Sequence, residues 1–428
     1  MLTLLISFFV LLFLRVPVAI GLALSTIFVL LMSDFNMNMM PQRIFTALDS
    51  FPMMAIPGFV LAGVIMARGG ISKYLIEALR TWVGHLPGGL AVVTILASGI
   101  FAAISGSSPA TAAAIGSIMI PALIAGGYDK KYALGLVAAG GTLGILIPPS
   151  VPLIIYGITS EESIGSLFMA GLLPGLGLLA VLIVAAVFYA KKNGFKGDTK
   201  ATWGQRGRAS LKAIWGAFLP VLILGSIYSG AVTPTESAVI AIVYGLLVSA
   251  FVYREMKLKD LRGIIVESIN VTAMIFLIIG AASLFGLYLT NNQVPHAVGA
   301  WIAESNLNIW IFMLIVNLLF FVLGMFLEAV SIILITLPIL LPILDHFGIN
   351  LYHFAIIMVI NLELGMITPP VGLNLFVVSG IAKEKLGVAV RGVIPFIILM
   401  ILYLVVVILF PQLSLWLPSL TNPSVVGP

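Results

Sequence analysis

Leu143–Leu153 reads LGILIPPSVPL, and Leu364–Asn374 reads LGMITPPVGLN. Both stretches lie deep in apolar runs, and each carries a proline pair. Proline has no backbone N–H and its ring clashes with the carbonyl one turn back, so a tandem pair ends or breaks a helix. In hydrocarbon, each N–H or C=O freed by such a break is costly unless something bonds to it. A break is tolerated where protein buries it, or where an ion or a solute uses the freed groups. The same break made twice is the feature from which the rest of the chain is read.

The surroundings are those of a membrane protein. Of 428 residues, 61% are hydrophobic and 9% charged, with a mean hydropathy of +1.20. That leaves too few polar side chains to cover a soluble globule. Several apolar runs approach the ~20 residues that cross a bilayer. The runs are continuous and do not alternate, which disfavours a β-barrel and gives an all-α polytopic fold. Cysteine is absent, so disulfides, thiolate catalysis and Cys-ligated metals drop out. The histidines, His85, His296, His346 and His353, have no HExxH or similar spacing, and no GxxxxGK[ST] occurs. The N-terminal MLTLLISFFVLLFLRVP has neither a basic n-region nor an AxA-like cleavage site, and reads as a membrane segment.

The net charge of +5 reflects basic loops on one face of the membrane and does not indicate a nucleic-acid partner. Lys191, Lys192, Lys196, Lys200, Arg206, Arg208 and Lys212 stand against the acid Asp198 in the 191–212 loop, which is assigned to the cytoplasm. Arg254, Lys257, Lys259 and Arg262 belong on the same side, because the apolar stretch between the clusters, Ile214–Tyr253, is two spans long.

Shifting the sequence by 221 residues superposes Pro121 on Pro342, Gly127 on Gly348, Leu143-Gly144 on Leu364-Gly365, Pro148-Pro149 on Pro369-Pro370 and Pro174 on Pro395. Proline makes up 23 of 428 residues, so four proline matches at one offset indicate an internal repeat. Paired Gly/Pro interruptions in corresponding places of two halves point to a transporter binding site. Each half has a second interruption upstream. In Ala102–Gly116, AAISGSSPATAAAIG, the apolar pieces Leu90–Ile104 and Pro109–Ala125 flank SGSSP. Pro109 suits the first turn of a helix and Ser107 or Ser108 its N-cap. The reading is a re-entrant hairpin. Its counterpart in the second half is Leu323–Ser331, with Gly324 and Glu328.

Four interrupted places therefore collect hydroxyls, free carbonyls and helix ends: Ser105–Thr111, Gly140–Pro149, Gly324–Ser331 and Gly365–Asn374. Helix N-termini attract anions, whereas unwound carbonyls and helix C-termini attract small cations. Neutral oxygen donors without dense carboxylate suit Na⁺ better than Ca²⁺ or Mg²⁺. The plainer reading of SGSSPAT and of the GxxxG at Gly140 and Gly144 is close helix packing through small residues. Acids inside membrane segments are functional candidates by default. Glu236 and Glu267 are two of them. Glu236, after Pro234, reads as a helix cap. Glu328 and Glu363 read either as ion attractors or as anchors of the hairpins. Arg15, Arg43, Arg68 and Arg80 read as interfacial, and Met32–Gly58 as an amphipathic helix on the interface or a connecting helix.

ISGSSPATAAAIGSIMIPAL, GGTLGILIPPSVPLIIYG and LELGMITPPVGLNLFV resemble the large membrane subunit of tripartite ATP-independent periplasmic (TRAP) transporters, the DctM-like family, and the resemblance extends over essentially the whole chain. It implies a multi-pass protein of the bacterial inner membrane. The implied fold is an inverted repeat with two re-entrant hairpins and two broken helices, divided into a scaffold and a transport domain of the elevator type. Scaffold helices would be 1–87, 161–303 and 383–428, and transport elements 88–160 and 304–382. The implied activity is sodium-coupled uptake of an organic acid, such as a C4-dicarboxylate or a sialic or other sugar acid. The implied partners are a small, four-helix, Q-type membrane subunit and a periplasmic P-type binding protein, besides the membrane lipids. Carried over by residue, one Na⁺ site uses Ser105, Gly106, Ser107 and Ser108 with Gly144 and Ile147. A second uses Gly324, Glu328, Gly365 and Thr368. FLEAV, Phe326–Val330, lacks the Ser-Asn-Thr signature of distant carboxylate symporters, so the second site ranks below the first. The substrate carboxylate falls near Ser108, Thr111 and Asn374. Rival readings are a stand-alone carboxylate symporter, a channel and an intramembrane enzyme. No His/Asp/Ser set supports the enzyme.

Overall fold

The computed structural model describes residues 2–14, 16–33, 35–295, 297–298 and 307–426. Arg15 and His296 lie outside them. The first half runs α1 (Leu2–Phe13), α2 (Val18–Leu31), α3 (Met39–Leu48), α4 (Ala55–Arg68), α5 (Ile71–Val83), α6 (Gly89–Ser105), α7 (Ser108–Ala125), α8 (Lys130–Leu146), α9 (Val151–Ser160) and α10 (Ile164–Lys192). The second runs α11 (Trp203–Tyr228), α12 (Pro234–Leu247), α13 (Leu258–Asn291), α14 (Ile309–Gly324), α15 (Ala329–His346), α16 (Leu351–Met366), α17 (Leu373–Ala382), α18 (Leu386–Leu409) and α19 (Gln412–Thr421). Among the described residues, nine helices are long and apolar enough to cross a membrane, counting α8 and α9 as one.

The 221-residue repeat is visible in local structure well upstream of Pro121. The N-cap of α7 is Ser107 and that of α15 is Glu328. The N-cap of α8 is Asp129, whose carboxylate accepts from the Lys131 amide, and that of α16 is Asn350, which accepts from Tyr352 and His353. Both proline pairs, Pro148-Pro149 and Pro369-Pro370, are cis, and Gly127 and Gly348 both take positive φ. The sequence reading gives the second arm of the first hairpin as Pro109–Ala125, short for a span; α7, Ser108–Ala125, has 18 residues and reaches spanning length, as does α15, with Pro121 inside the one and Pro338 and Pro342 inside the other. The Met32–Gly58 segment divides into α3, a 3₁₀ turn at Phe51–Met54 and the start of α4.

The two broken helices form the core. Every residue of Tyr132–Leu146 in α8 and of Tyr352–Met366 in α16 is buried. α8 packs on α6, α7, α10, α16 and α18, while α16 packs on α14, α18 and α10. At the first break residues 147–150 are buried, so the freed backbone faces protein, which is the condition for tolerating it at membrane depth; at the second, residues 369–371 are exposed. A second group forms around α13, which packs on α2, α3 and α4; α4 packs on α12 and α5 on α11. The outer surface carries the large apolar side chains, including Phe13, Val184, Phe188 and Leu314. Solvent polarity is inverted relative to a soluble protein, as lipid requires. The expected basic loop 191–212 shortens to 193–202, since Lys191 and Lys192 end α10 and Arg206, Arg208 and Lys212 lie in α11; it is pinned beside α5 where Arg80 Nε donates to Asp198 at 2.7 Å and the Asp198 amide donates to the Gly84 carbonyl at 2.8 Å.

Candidate functional site

Each helix break is occupied by a hairpin tip. In the first half α6 ends at Gly106, whose φ of +60° turns the chain into Ser107 and α7. The Ser105 and Thr111 hydroxyls are hydrogen-bonded to each other at 2.7 Å and lie 3.3 and 2.9 Å from the Ser107 carbonyl, which accepts from whichever of them does not donate to the other. Three neutral oxygens thereby gather at the tip. Gly144, in the last turn of α8, lets the tip approach: a Cβ there would stand 2.7 Å from both the Ser107 carbonyl carbon and Thr111 Oγ1. Beyond the break the Val151 amide donates to the Gly106 carbonyl at 3.4 Å. Ser150 closes the break by donating to the Ile145 carbonyl, and its own oxygen caps α9 by accepting from Leu153.

The second half repeats the arrangement with different side chains. Gly324, at the end of α14, meets Gly365 backbone to backbone: a Cβ on Gly324 would lie 3.0 Å from the Gly365 Cα. The Val371 and Gly372 amides donate to the Met325 carbonyl at 3.2 and 3.4 Å. Glu328 takes the place of Ser107. Its Oε1 accepts from the Ser331 amide and hydroxyl at 3.1 and 3.2 Å, so it caps α15 and anchors the tip. Thr368 donates back to the Leu364 carbonyl at 2.6 Å.

Asn374 joins the two halves. Its Nδ2 donates to Ser108 Oγ at 2.8 Å and to the Ala138 carbonyl at 3.1 Å. A carbonyl accepts only from the amide NH₂, so Ala138 fixes which way the side chain points. Asn374 Oδ1 is then left buried without a hydrogen-bond partner. Of the residues expected near the substrate, Asn374 bonds Ser108 and Thr111 lies one turn along α7; Ser108 lines a neighbouring cavity, whereas Thr111 and Asn374 are fully buried and do not. That cavity, of about 590 Å³, is lined by Ser105–Ser108 and Glu328–Val330 at the tips and by Val151 and Leu373 after the breaks. Ile147 is buried at the end of α8.

Several residues stand elsewhere than the sequence placed them. Arg68, read as interfacial, lines the cavity together with Lys73 and pairs with Glu267 on α13. Their distance along the chain, 199 residues, hides the pairing from sequence. Glu236 is a cap: with Thr233 it forms a capping box, accepting the Thr233 amide at 2.7 Å. Glu363 is fully buried in α16, with both carboxylate oxygens lacking a hydrogen-bond partner, but it does not line the cavity. An amide pair, Asn317 on α14 and Asn361 on α16, escaped the sequence reading; Asn317 is a lone polar residue in an apolar run, which is the signal that could have found it. Of the GxxxG pair, Gly140 admits Ser98 of α6 and Gly144 the hairpin tip, so small-residue packing and site-building are one arrangement here.

The sequence profile described as "Tripartite ATP-independent periplasmic transporter, DctM component" matches residues 5–413. The chain belongs to this DctM family. It is therefore a transport protein and not an enzyme, and a multi-pass protein of the inner membrane. A large permease protein DctM of a C4-dicarboxylate TRAP transporter from Pseudomonas aeruginosa is 42% identical over 391 residues, 91% of this chain and 92% of that one. The isethionate TRAP transporter permease protein DctMQ of Oleidesulfovibrio alaskensis is 40% identical over 94% of this chain and 64% of its own length. Among solved structures, the Alcanivorax borkumensis YdaH transporter superposes with a TM-score of 0.62 at 14% identity, covering 89% of this chain and 88% of that one. At that identity the likeness is one of fold.

Proposed function

We propose that this DctM-family chain carries an organic acid anion, a C4-dicarboxylate or a sialic or similar sugar acid, inward across the bacterial membrane, driven by sodium. The observation that carries the reading is the bond from Asn374 to Ser108, which brings the breaks of both halves to one cavity. Sodium fits the donors: the Ser105 and Thr111 hydroxyls and the Ser107 carbonyl are neutral oxygens already within 3.3 Å of one another. Such a set is too poor in charge to favour a divalent ion. Glu328 lends the second tip a carboxylate, which supports a second, less symmetric ion site with Gly324, Gly365 and Thr368. A cavity of about 590 Å³ lies in the range of small-molecule sites.

A small Q-type membrane subunit and a periplasmic binding protein complete the system. The relative named DctMQ, longer than this chain, supports the first. The hairpins and broken helices form the moving domain of an elevator, and the helices around α13 the scaffold. The packing of α2, α3 and α4 around α13 supports a separate scaffold, whereas α10 and α18, expected in the scaffold, pack on α8. In proteoliposomes holding this chain with its small subunit, uptake is expected only with both an inward sodium gradient and the acid-loaded binding protein. Uptake by the chain alone would favour a stand-alone symporter, and uptake indifferent to sodium would reject the coupling. Replacing Ser107 and Ser108 by bulky apolar residues abolishes the sodium dependence if the first site is placed correctly. Cross-links from hairpin to scaffold that form in one register under all conditions reject the elevator.

A further inference from the structure

Arg68 closes α4 and Lys73 stands in the first turn of α5; among the described residues they are the cations that line the cavity. Each is held by an acid distant in sequence, Arg68 by Glu267 and Lys73 by Glu255 at 2.9 Å. α13 receives the Arg68 guanidinium in a fitted seat. Gly263, one turn before Glu267, lies under it, and a Cβ at Gly263 would come within 2.7 Å of Nη1. The pair is nonetheless accessible, with side chains 47% and 46% exposed. A half-exposed ion pair contributes little to stability, so Glu267 is an exchangeable partner.

The cavity lining also includes a run of small side chains, which leaves room for a solute. α7 turns Ala110, Ala113, Ala114 and Ser117 to the cavity, a spacing that puts one small-residue face along it. On α4, Gly63 abuts the Ser105 backbone, and Arg68 follows five residues on, about 7.5 Å farther along the helix. The hairpin residues Ser105–Ser108 and Arg68 thus line one small cavity.

We propose that Arg68 binds the charged head, carboxylate or sulfonate, of the carried anion, and that Glu267 holds the guanidinium when the solute is absent. Loading is then an exchange of anions on one guanidinium. Arginine suits the role because its planar fork takes both oxygens of such a head and never loses its charge. The inference rests on the transport of an organic acid proposed above.

The test uses the chain purified in detergent with its small subunit, at constant sodium and ionic strength. Succinate, isethionate and sialic acid are titrated against melting temperature, a readout of binding that the soluble binding protein does not govern. Arg68→Gln is expected to raise the half-saturating concentration at least about tenfold. Glu267→Gln lowers it severalfold, because the competitor is gone, and the double variant behaves as Arg68→Gln. An ion pair that is only a strut gives another pattern: both single variants melt lower, neither moves the half-saturation, and the double variant recovers. That pattern, or Arg68→Gln within twofold of wild type, overturns the proposal. Should Arg68→Gln fail to fold, Glu267→Gln decides alone, and a half-saturation unchanged or raised overturns it. A wild type stabilised by an acid and active in uptake, with the Arg68 pattern absent, defeats this inference and spares the function. A wild type that neither binds nor carries any of the three overturns both.

Discussion

Gly144 carries the sharpest consequence of the hairpin seated in the break. In Gly144→Ala the new methyl would sit 2.5 Å from the Ser107 carbonyl oxygen and 2.7 Å from Thr111 Oγ1, where ordinary contact begins at 3.4 Å. Something must move by about 0.9 Å, the shortfall between 2.5 and 3.4 Å. Thr111 cannot rotate away without giving up its bonds to Ser105 and to the Ser107 carbonyl, and the carbonyl belongs to the tip backbone. Overpacking of this kind costs about 3 kcal/mol when backbone has to shift. Alanine in place of glycine inside a helix returns about 1 kcal/mol, which leaves about 2 kcal/mol net. Gly380→Ala, in α17, is the control, since nothing lies within 4 Å of its Cβ. It gains the helix term alone, so the two variants differ by about 3 kcal/mol. Melting in detergent measures the difference, and uptake in proteoliposomes reads the half-saturating sodium concentration, expected to rise in Gly144→Ala as the oxygen cluster is displaced. Equal melting temperatures with unchanged sodium dependence would refute the seating of the tip against α8.

Asn374→Ala strands the Ala138 carbonyl and the Ser108 hydroxyl and is expected to cost about 1–3 kcal/mol together with uptake; Asn374→Asp, which turns a second acceptor towards Ala138, should not rescue either, and a wild-type melting curve for it would count against the bond. Glu363→Met removes a buried carboxyl without hydrogen-bond partners and should raise the melting temperature by on the order of 1 kcal/mol of stability, so a fall would show that the carboxyl has a structural partner. Thr233→Ala opens the Thr233–Glu236 capping box and should cost about 1 kcal/mol with the substrate dependence of uptake unchanged; a shift in that dependence would give Glu236 more than a capping role.

Where sequence succeeded and where it stopped follow from the range of the interactions. The breaks at Pro148-Pro149 and Pro369-Pro370, the tip at Gly106 and the cap at Glu236 are local: each depends on residues within one helical turn, whose chemistry is readable in order. The 221-residue offset extended that reading, because a repeated unit copies its punctuation. The Arg68–Glu267 pair was out of reach, since nothing local distinguishes an arginine at a lipid boundary from one on a cavity wall. Pro121, Pro338 and Pro342 lie within α7 and α15, where neighbouring helices tolerate them.

Composition and pattern alone determined that this chain is an all-helical membrane protein with a duplicated, twice-interrupted unit, because hydrophobicity and proline act on the backbone wherever they occur. Only the tertiary structure decided that each hairpin tip fills its own half's break, that Asn374 ties the second break to the first tip, and that two cations stand over the resulting cavity. Those contacts join residues from about 45 to 266 positions apart, far beyond one helical turn, and they exist only once the helices have packed.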